Sequence, residues 1–346
     1  MTDQTIAAGL ARFVAAKLPS AREVRVESVE RAHGGASRET YRCELRWRED
    51  DAEVTRRWVV RRDPASSLIE TERNIEFAAY ASFQRSGVPV PAVLFLEHDP
   101  QWLQRPFFVM EWIDGAAANP FAADPYGTQR EVLGEQFWRI LGRIAAADAA
   151  ATELAGKIEL PLPQDCWLRE LDRWQAVIDQ DELEPQPIAR AAIRWLRRHP
   201  PPPPARVTVV HGDYRSGNFL ASPDGRIRAV LDWEMCHFGD PHEDLGWACD
   251  PLWGGMTGER PGQLIEKECG LELWQEESGI AVDRAALQWW EIFAQVKGLA
   301  IWISASKEYL TGASKDPVLL LSGWLCTERH NRLLSARMAE MIEPQR

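Results

Sequence analysis

The chain has 346 residues, 45% of them hydrophobic and 27% charged, which is globular composition with enough apolar material for one large or two ordinary domains. Forty basic against 52 acidic residues leave a formal charge of -12, which excludes a general binder of nucleic-acid backbone while leaving room for local arginine clusters that grip a small anion. The six cysteines (Cys43, Cys166, Cys236, Cys249, Cys269, Cys326) form no Cys-x-x-Cys pair, the N-terminus lacks the cationic and apolar stretches of a signal peptide, and no run approaches the roughly 18 apolar residues of a spanning helix. A soluble protein of a reducing cytoplasm, with no membrane contact, is expected; nothing in the composition speaks to oligomeric state.

Apolar residues at helical spacing (Ile6, Leu10, Phe13, Val14, Leu18) predict an amphipathic helix over 5–18. Three short strands follow, around Val24–Val26, Tyr41–Leu45 and Trp58–Val60, with Gly34-Gly35 breaking the first turn. Helical spacing returns over 68–86, and two further strands are predicted at 92–96 and 106–110. Beyond Gly115 long helices are expected near 128–151, 183–198, 281–306 and 317–341. Thirteen of the sixteen tryptophans fall from Trp112 onward and read as bulky core. The prolines Pro200–Pro204 cannot be helical and read as an extended spacer before a strand at 206–210.

The stretch "VVHGDYRSGNFL" (209–220) crowds polar groups between a β-branched run and Phe219-Leu220. A strand ending at Val210 puts His211, Gly212 and Asp213 on the loop at its C-terminal edge, where functional groups ride on a rigid scaffold. Asn218 follows Asp213 after four residues, and fourteen residues later a second apolar strand, 227–231, delivers Asp232. Two carboxylates and an amide oxygen are hard donors that suit Mg2+ shared with substrate phosphates. Asn218 and Asp232 would hold the ion, Asp213 would accept a hydroxyl proton, and Arg215 reads equally as a phosphate contact or a solvated loop arginine. His211 reads as a structural brace, since magnesium prefers oxygen. His237 and His242 lack a third ligand at helical or hairpin spacing, which argues against a transition-metal site. Asp244, near a helix start, reads as a cap or a brace for the loop.

Asp-x-x-x-x-Asn on a loop, then a strand ending in Asp, resembles the catalytic core of kinases. His-Gly-Asp at 211–213, "LDWE" at 231–234 and "GDPHEDLGW" at 239–247 resemble the aminoglycoside phosphotransferase family of small-molecule kinases. "HGGASRETYRCEL" at 33–45 is similar to its nucleotide-covering hairpin, "WVVRR" at 58–62 to its third strand, "GVPVP" at 87–91 to the segment after its αC-type helix, and "FFVMEWIDG" at 107–115 to its interlobe hinge. The resemblance implies an α+β, two-lobed protein-kinase-like fold, with a small antiparallel-sheet lobe for nucleotide over 1–110 and a larger, mainly helical catalytic and substrate lobe over 111–346. It implies ATP and Mg2+ as cofactors and a small-molecule hydroxyl as acceptor. It assigns Asp213 as base, Asn218 and Asp232 as magnesium ligands, and Glu76 as the αC-type glutamate, ahead of Glu70 and Glu72. Gly34, Gly35 and Ser37 would cover the phosphates, and backbone groups of Glu111 and Ile113 would hold the adenine edge. One departure stands out: the six lysines all lie outside the small lobe's sheet, and Arg61 occupies the position of the usual phosphate-binding lysine.

The wording of "SGNFL" and "LDWE" is closer to the family members related to the kinase domains attached to acyl-CoA dehydrogenases. A hydroxyacyl-CoA or another metabolic hydroxyl is therefore an acceptor of at least equal standing with an aminoglycoside. A nucleotide-binding pseudokinase, suggested by Arg61, and a metallophosphoesterase, which would need more clustered histidines, are the competing classes. Trp253, Trp289 and Trp290 are candidates for an acceptor pocket or for core; Glu234, Asp250 and Glu259 are candidates for contacts to a cationic acceptor or for ordinary surface.

Overall fold

The computed structural model describes residues 3–32, 38–64, 72–255, 258 and 260–342. Three long strands, β1 Arg22–Ala32, β2 Glu39–Glu49 and β3 Ala52–Arg62, form an antiparallel meander. Asp50 and Asp51 make the two-residue turn between β2 and β3, both at positive φ (46° and 63°), the handedness that matches the strand twist. Two shorter strands, β4 Val93–Glu97 and β5 Phe107–Glu111, complete a five-stranded sheet in the order β1-β2-β3-β5-β4.

Side-chain alternation gives the sheet two apolar faces. On one, Tyr41, Cys43, Leu45, Val60, Phe107 and Val109 pack against helix α1, Asp3–Lys17, through Ile6, Leu10, Phe13 and Val14. Phe13 meets Phe95, Phe107 and Trp102 edge-on with centroids 5.0–5.7 Å apart, and burying such a ring is worth roughly 3 kcal/mol. On the other face Val59, Phe108 and Met110 join helix α2, Arg73–Phe83, in a core continuous with the second lobe. Arg61 shares the face of Val59, so the alternation alone aims it between the lobes.

The second lobe is mainly helical: α3 Arg130–Ala146, α4 Cys166–Asp181, α5 Pro187–Arg198, α6 His242–Ala248, α7 Lys267–Ser278, α8 Arg284–Leu310 and α9 Pro317–Ile342. Two small antiparallel ribbons carry the polar stretch, β6 Thr208–Val210 with β9 His237–Gly239 and β7 Phe219–Ala221 with β8 Ile227–Val230. The helix α8 starts at an N-cap, Asp283, that accepts from Ala285 N and Ala286 N, and is buried on nearly every side, the pattern of a central core helix. Around it α4, α5 and α9 close a second core with Trp174, Trp289, Trp290 and Phe293. Helices α4 and α7 are additions to the elements expected from the sequence, and α6 is the helix whose start was expected near Asp244. Pro200–Pro204 belong to neither helix nor strand. Among the described residues, no helix is long and apolar enough to cross a membrane.

Candidate active site

The loop after β6 is held from beneath and behind. Gly212 sits at φ 83°, and a Cβ there would lie 2.5 Å from Met235 O, so only glycine fits. Asp244, in α6, accepts from His211 N at 2.7 Å and Gly212 N at 2.9 Å; burial pushes its carboxyl up to about 6 against the pull of those two amides. The brace expected of Asp244 is what the structure contains. Asp213 N donates to His211 Nδ1 (3.1 Å), so the other ring nitrogen, Nε2, carries the proton and donates to Leu231 O (2.9 Å). Burial holds that imidazole down to about 4, which keeps it neutral. Leu231 N in turn donates to Asn218 O (2.8 Å), so the loop at 211–218 and the end of β8 are stitched together through one residue.

Asp213, Asn218 and Asp232 converge as a result. Asn218 Nδ2 donates to Asp213 Oδ2 at 2.6 Å and to Asp213 O at 2.9 Å. Asp213 Oδ1 accepts from Arg215 Nε at 3.0 Å and from Trp247 Nε1 at 2.7 Å. Arg215 also lies 4.4 Å over the ring of Trp253. Asp232 adopts a left-handed backbone (φ 61°, ψ 56°), a conformation costly for a non-glycine residue and held here by the bond from its N–H to Tyr80 of α2 (3.1 Å). Its side chain is 39% exposed although protein surrounds its base; burial works against its charge, and the Arg61 guanidinium overcomes this and holds the carboxyl below the usual range. With the Asn218 amide nitrogen turned to Asp213, no described hydrogen bond uses its carbonyl oxygen. That side-chain oxygen and the Asp232 carboxylate are hard donors of the kind that could hold Mg2+.

Arg61 spans the lobes. Its Nε is 2.9 Å from Glu76 Oε1, its Nη1 2.8 Å from Asp232 Oδ1, and its Nη2 3.6 Å from Glu234 Oε2. Glu76 is fully buried, and its second oxygen accepts from Arg38 Nε at 2.5 Å; Arg38 Nη1 continues to Asp63 at 2.7 Å. Arg38 lies within the stretch at 33–45 quoted for the resemblance, which gives it no role of its own. Gly34, Gly35 and Ser37 lie outside the described residues, as do Glu70 and Glu259. At the hinge, Glu111 N donates to Ala92 O (2.8 Å) and Trp112 N to Arg57 O (3.0 Å), while no described hydrogen bond uses the backbone of Ile113.

Beneath the loop, Lys297 of α8 donates to Gly212 O (2.6 Å) and Glu243 (2.9 Å). Glu243 also meets His237 at 3.0 Å, and His237 lies 3.6 Å from Glu170 of α4. These three offer ligand atoms within 4.8 Å of one another, a grouping that sequence spacing missed because Glu170 arrives from a distant helix. Lys297 and a protonated His237 already supply the positive charge there. His242 is engaged elsewhere, by Asp240 (2.8 Å) and by Asp283 N (3.0 Å). Trp253, Trp289 and Trp290 are at most 2% exposed and read as core, and Asp250 is buried against His330 (3.1 Å) rather than on the surface.

Comparison with solved structures gives a Ralstonia eutropha JMP134 chain provisionally assigned to the aminoglycoside phosphotransferases (TM-score 0.74, 20% identity, 96% of this chain and 98% of that one). A thermostable variant of aminoglycoside phosphotransferase APH(4)-Ia, solved with AMP-PNP and hygromycin B, matches over 98% of this chain and 100% of its own (TM-score 0.58, 16% identity). These likenesses establish the protein-kinase-like fold. Among curated proteins, mouse acyl-CoA dehydrogenase family member 10 is 32% identical over 200 residues, 56% of this chain and 18% of its own length. Chicken acyl-CoA dehydrogenase family member 11 is 24% identical over 194 residues, 55% and 25% respectively, so the chain's match spans a quarter or less of these relatives. The model of the phosphotransferase enzyme family matches residues 28–286, most of the chain, and the protein therefore belongs to that family.

Proposed function

We propose that the protein transfers the γ-phosphoryl group of ATP to a hydroxyl of a small molecule, with residues 1–110 holding the nucleotide and 111–346 supplying the catalytic loop and the acceptor site. The observation that carries this is the convergence of Asp213, Asn218 and Asp232, three residues from two separate strand ends, beside an arginine from the nucleotide lobe. Asn218 and Asp232 would hold Mg2+, which neutralises phosphate charge when bound. Asp213 takes the acceptor's proton, a role worth about 10²–10⁴-fold. Arg61 and Arg215 offer guanidinium forks to phosphate oxygens. The hinge backbone at Ile113, which no described hydrogen bond uses, and the carbonyl of Glu111 would receive the adenine edge; the assignment of Gly34, Gly35 and Ser37 to the phosphates falls outside the described residues.

Hydroxyacyl-CoA thioesters are the first acceptor class to test, because the curated relatives named above are acyl-CoA dehydrogenase family members, with aminoglycosides second. The experiment is a screen of both classes for acceptor-dependent ADP release, with Asp213→Asn as the blank. An acceptor that stimulates the unaltered chain and not the variant supports the reading; equal ADP release by both proteins with every acceptor overturns it. A second reading, a nucleotide-binding regulator without turnover, draws on the Arg61–Asp232 ion pair, which ties up one oxygen of a proposed magnesium ligand. Nucleotide binding with no ADP release on any acceptor or on water would favour it.

A further inference from the structure

Trp247 closes the "GDPHEDLGW" stretch, where the motif gives it no role of its own, and its indole is 1% exposed and aimed at the carboxylate of Asp213. A carboxylate oxygen has about two in-plane acceptor positions. On Oδ1 both are taken, by Trp247 Nε1 at 2.7 Å and Arg215 Nε at 3.0 Å. On Oδ2 one is taken, by Asn218 Nδ2 at 2.6 Å, which leaves one position for an incoming hydroxyl. An indole N–H can only donate, so its bond to Oδ1 cannot reverse in the way a hydroxyl's can.

The surroundings keep the indole where it is. A Cβ on the preceding residue, Gly246, would lie 2.6 Å from Trp290 O, so α6 rides directly on the backbone of α8. One turn earlier Asp244 is fixed by the amides of His211 and Gly212. The ammonium of Lys297 lies 5.3 Å over the Trp247 ring while donating to Gly212 O, and a cation on the ring face draws electron density from the indole and strengthens its N–H as a donor.

We propose that Trp247 is a positioning residue that commits Oδ1 of Asp213 to the protein and leaves Oδ2 as the oxygen that receives the acceptor's proton. The inference rests on the reading of Asp213 as the base. In the step it orients, the acceptor O–H bond breaks and its proton passes to Oδ2. The electron pair left on the acceptor oxygen forms the new bond to the γ-phosphorus of ATP, and the bond from that phosphorus to the β–γ bridging oxygen breaks, releasing ADP with the pair.

The test uses Mg2+ and ATP with water as acceptor, read by ADP release, on the unaltered chain, Trp247→Phe and Asp213→Asn. Phenylalanine keeps an aromatic ring and removes the donor. A mis-aimed base costs about 10- to 100-fold in kcat. The expected result is a fall in kcat of that size, with KM for ATP and the affinity for Mg2+ and AMP-PNP within twofold. With Trp247 in place, its indole N–H resonance should move between the unaltered chain and Asp213→Asn, a signature that requires no Trp247 variant to fold. An unchanged kcat in a folded Trp247→Phe protein, or an indole resonance indifferent to Asp213→Asn, overturns the inference. Undiminished ADP release by Asp213→Asn overturns instead the assignment of the base on which it rests.

Discussion

Arg61 of the sheet-bearing lobe is paired with Asp232 of the mainly helical lobe, its Nη1 2.8 Å from Oδ1, while its Nε lies 2.9 Å from the buried Glu76. One planar side chain thus touches both acidic groups that a kinase-like site assigns to different tasks, and an ammonium, with a single charged atom, cannot span them in the same way. Arg61→Met should raise the KM for ATP by about 10- to 100-fold, the worth of a charge-assisted contact to phosphate. It should also lower stability by about 3 kcal/mol, because the buried Glu76 loses one of its two cations. Arg61→Lys should recover most of the nucleotide affinity and little of the stability. Steady-state kinetics and urea denaturation of the two variants separate these effects.

Asp232 and Asn218 should differ from Asp213 in what they disturb. Asp232→Ala removes a hard oxygen donor and frees Arg61 from its partner, so nucleotide affinity measured by calorimetry should fall at least tenfold in the presence of Mg2+ and change little in its absence. Asp213→Asn should bind nucleotide as the unaltered chain does and lose about 10²–10⁴-fold in turnover. A Mg2+-independent nucleotide affinity in the unaltered chain would sink the ligand assignment.

Arg38 gives a prediction on stability rather than chemistry. Its guanidinium joins Glu76 and Asp63, and Asp63 is bonded also to Arg73. Arg38→Gln leaves the fully buried Glu76 with Arg61 as its described cation, at a cost of about 2 kcal/mol. The urea midpoint should drop accordingly, and addition of Mg2+ and AMP-PNP should recover part of the loss by binding only the folded state.

How much of this was legible depended on whether a signal was local. The strands β2, β3 and β5 and the helix α1 announced themselves through periods of 2 and 3.6, and the motif residues Asp213, Asn218 and Asp232 through spacing. Their roles stay proposals, but their convergence follows from strand ends that periodicity had already located. Helix α4 was missed although Cys166, Glu170, Leu171, Trp174 and Ile178 line one face, because its remaining positions are polar and blur the pattern. Helix α6 showed only as the helix start expected near Asp244, not as a period: all seven of its residues are buried, polar ones included, so it has no alternation at all. Trp247, Lys297 and Arg38 act through contacts 34, 85 and 38 residues away in sequence, and no local pattern reports such a contact. Asp250 and Glu234 looked like surface acids because charge alone does not disclose a buried partner.

The pairing of His237 with two carboxylates makes stability depend on pH in a defined direction. Burial disfavours the charge on this imidazole, but Glu170 of α4 and Glu243 of α6 outweigh burial and the opposing charge of Arg173, and raise it to about 9. An unfolded histidine titrates near 6.5, so the stabilisation is fully present below that pH and is lost as pH rises through 9. The size is on the order of 3 kcal/mol. Against its own burial, Lys297 first and His237 second hold Glu243 down to about 2, so its contribution is present above about 4.5 and is lost as acid carries the pH toward 2. Urea midpoints of the unaltered chain should therefore fall between pH 6.5 and 9.5 relative to those of His237→Gln, which carries no titrating group at that position. Lys297→Met should destabilise at every pH in this range, by about 3–5 kcal/mol, since it takes the ammonium from the buried Glu243, leaving it with His237, and from the carbonyl of Gly212. Parallel midpoint curves for the unaltered chain and His237→Gln would show that the imidazole is not charged in the folded protein.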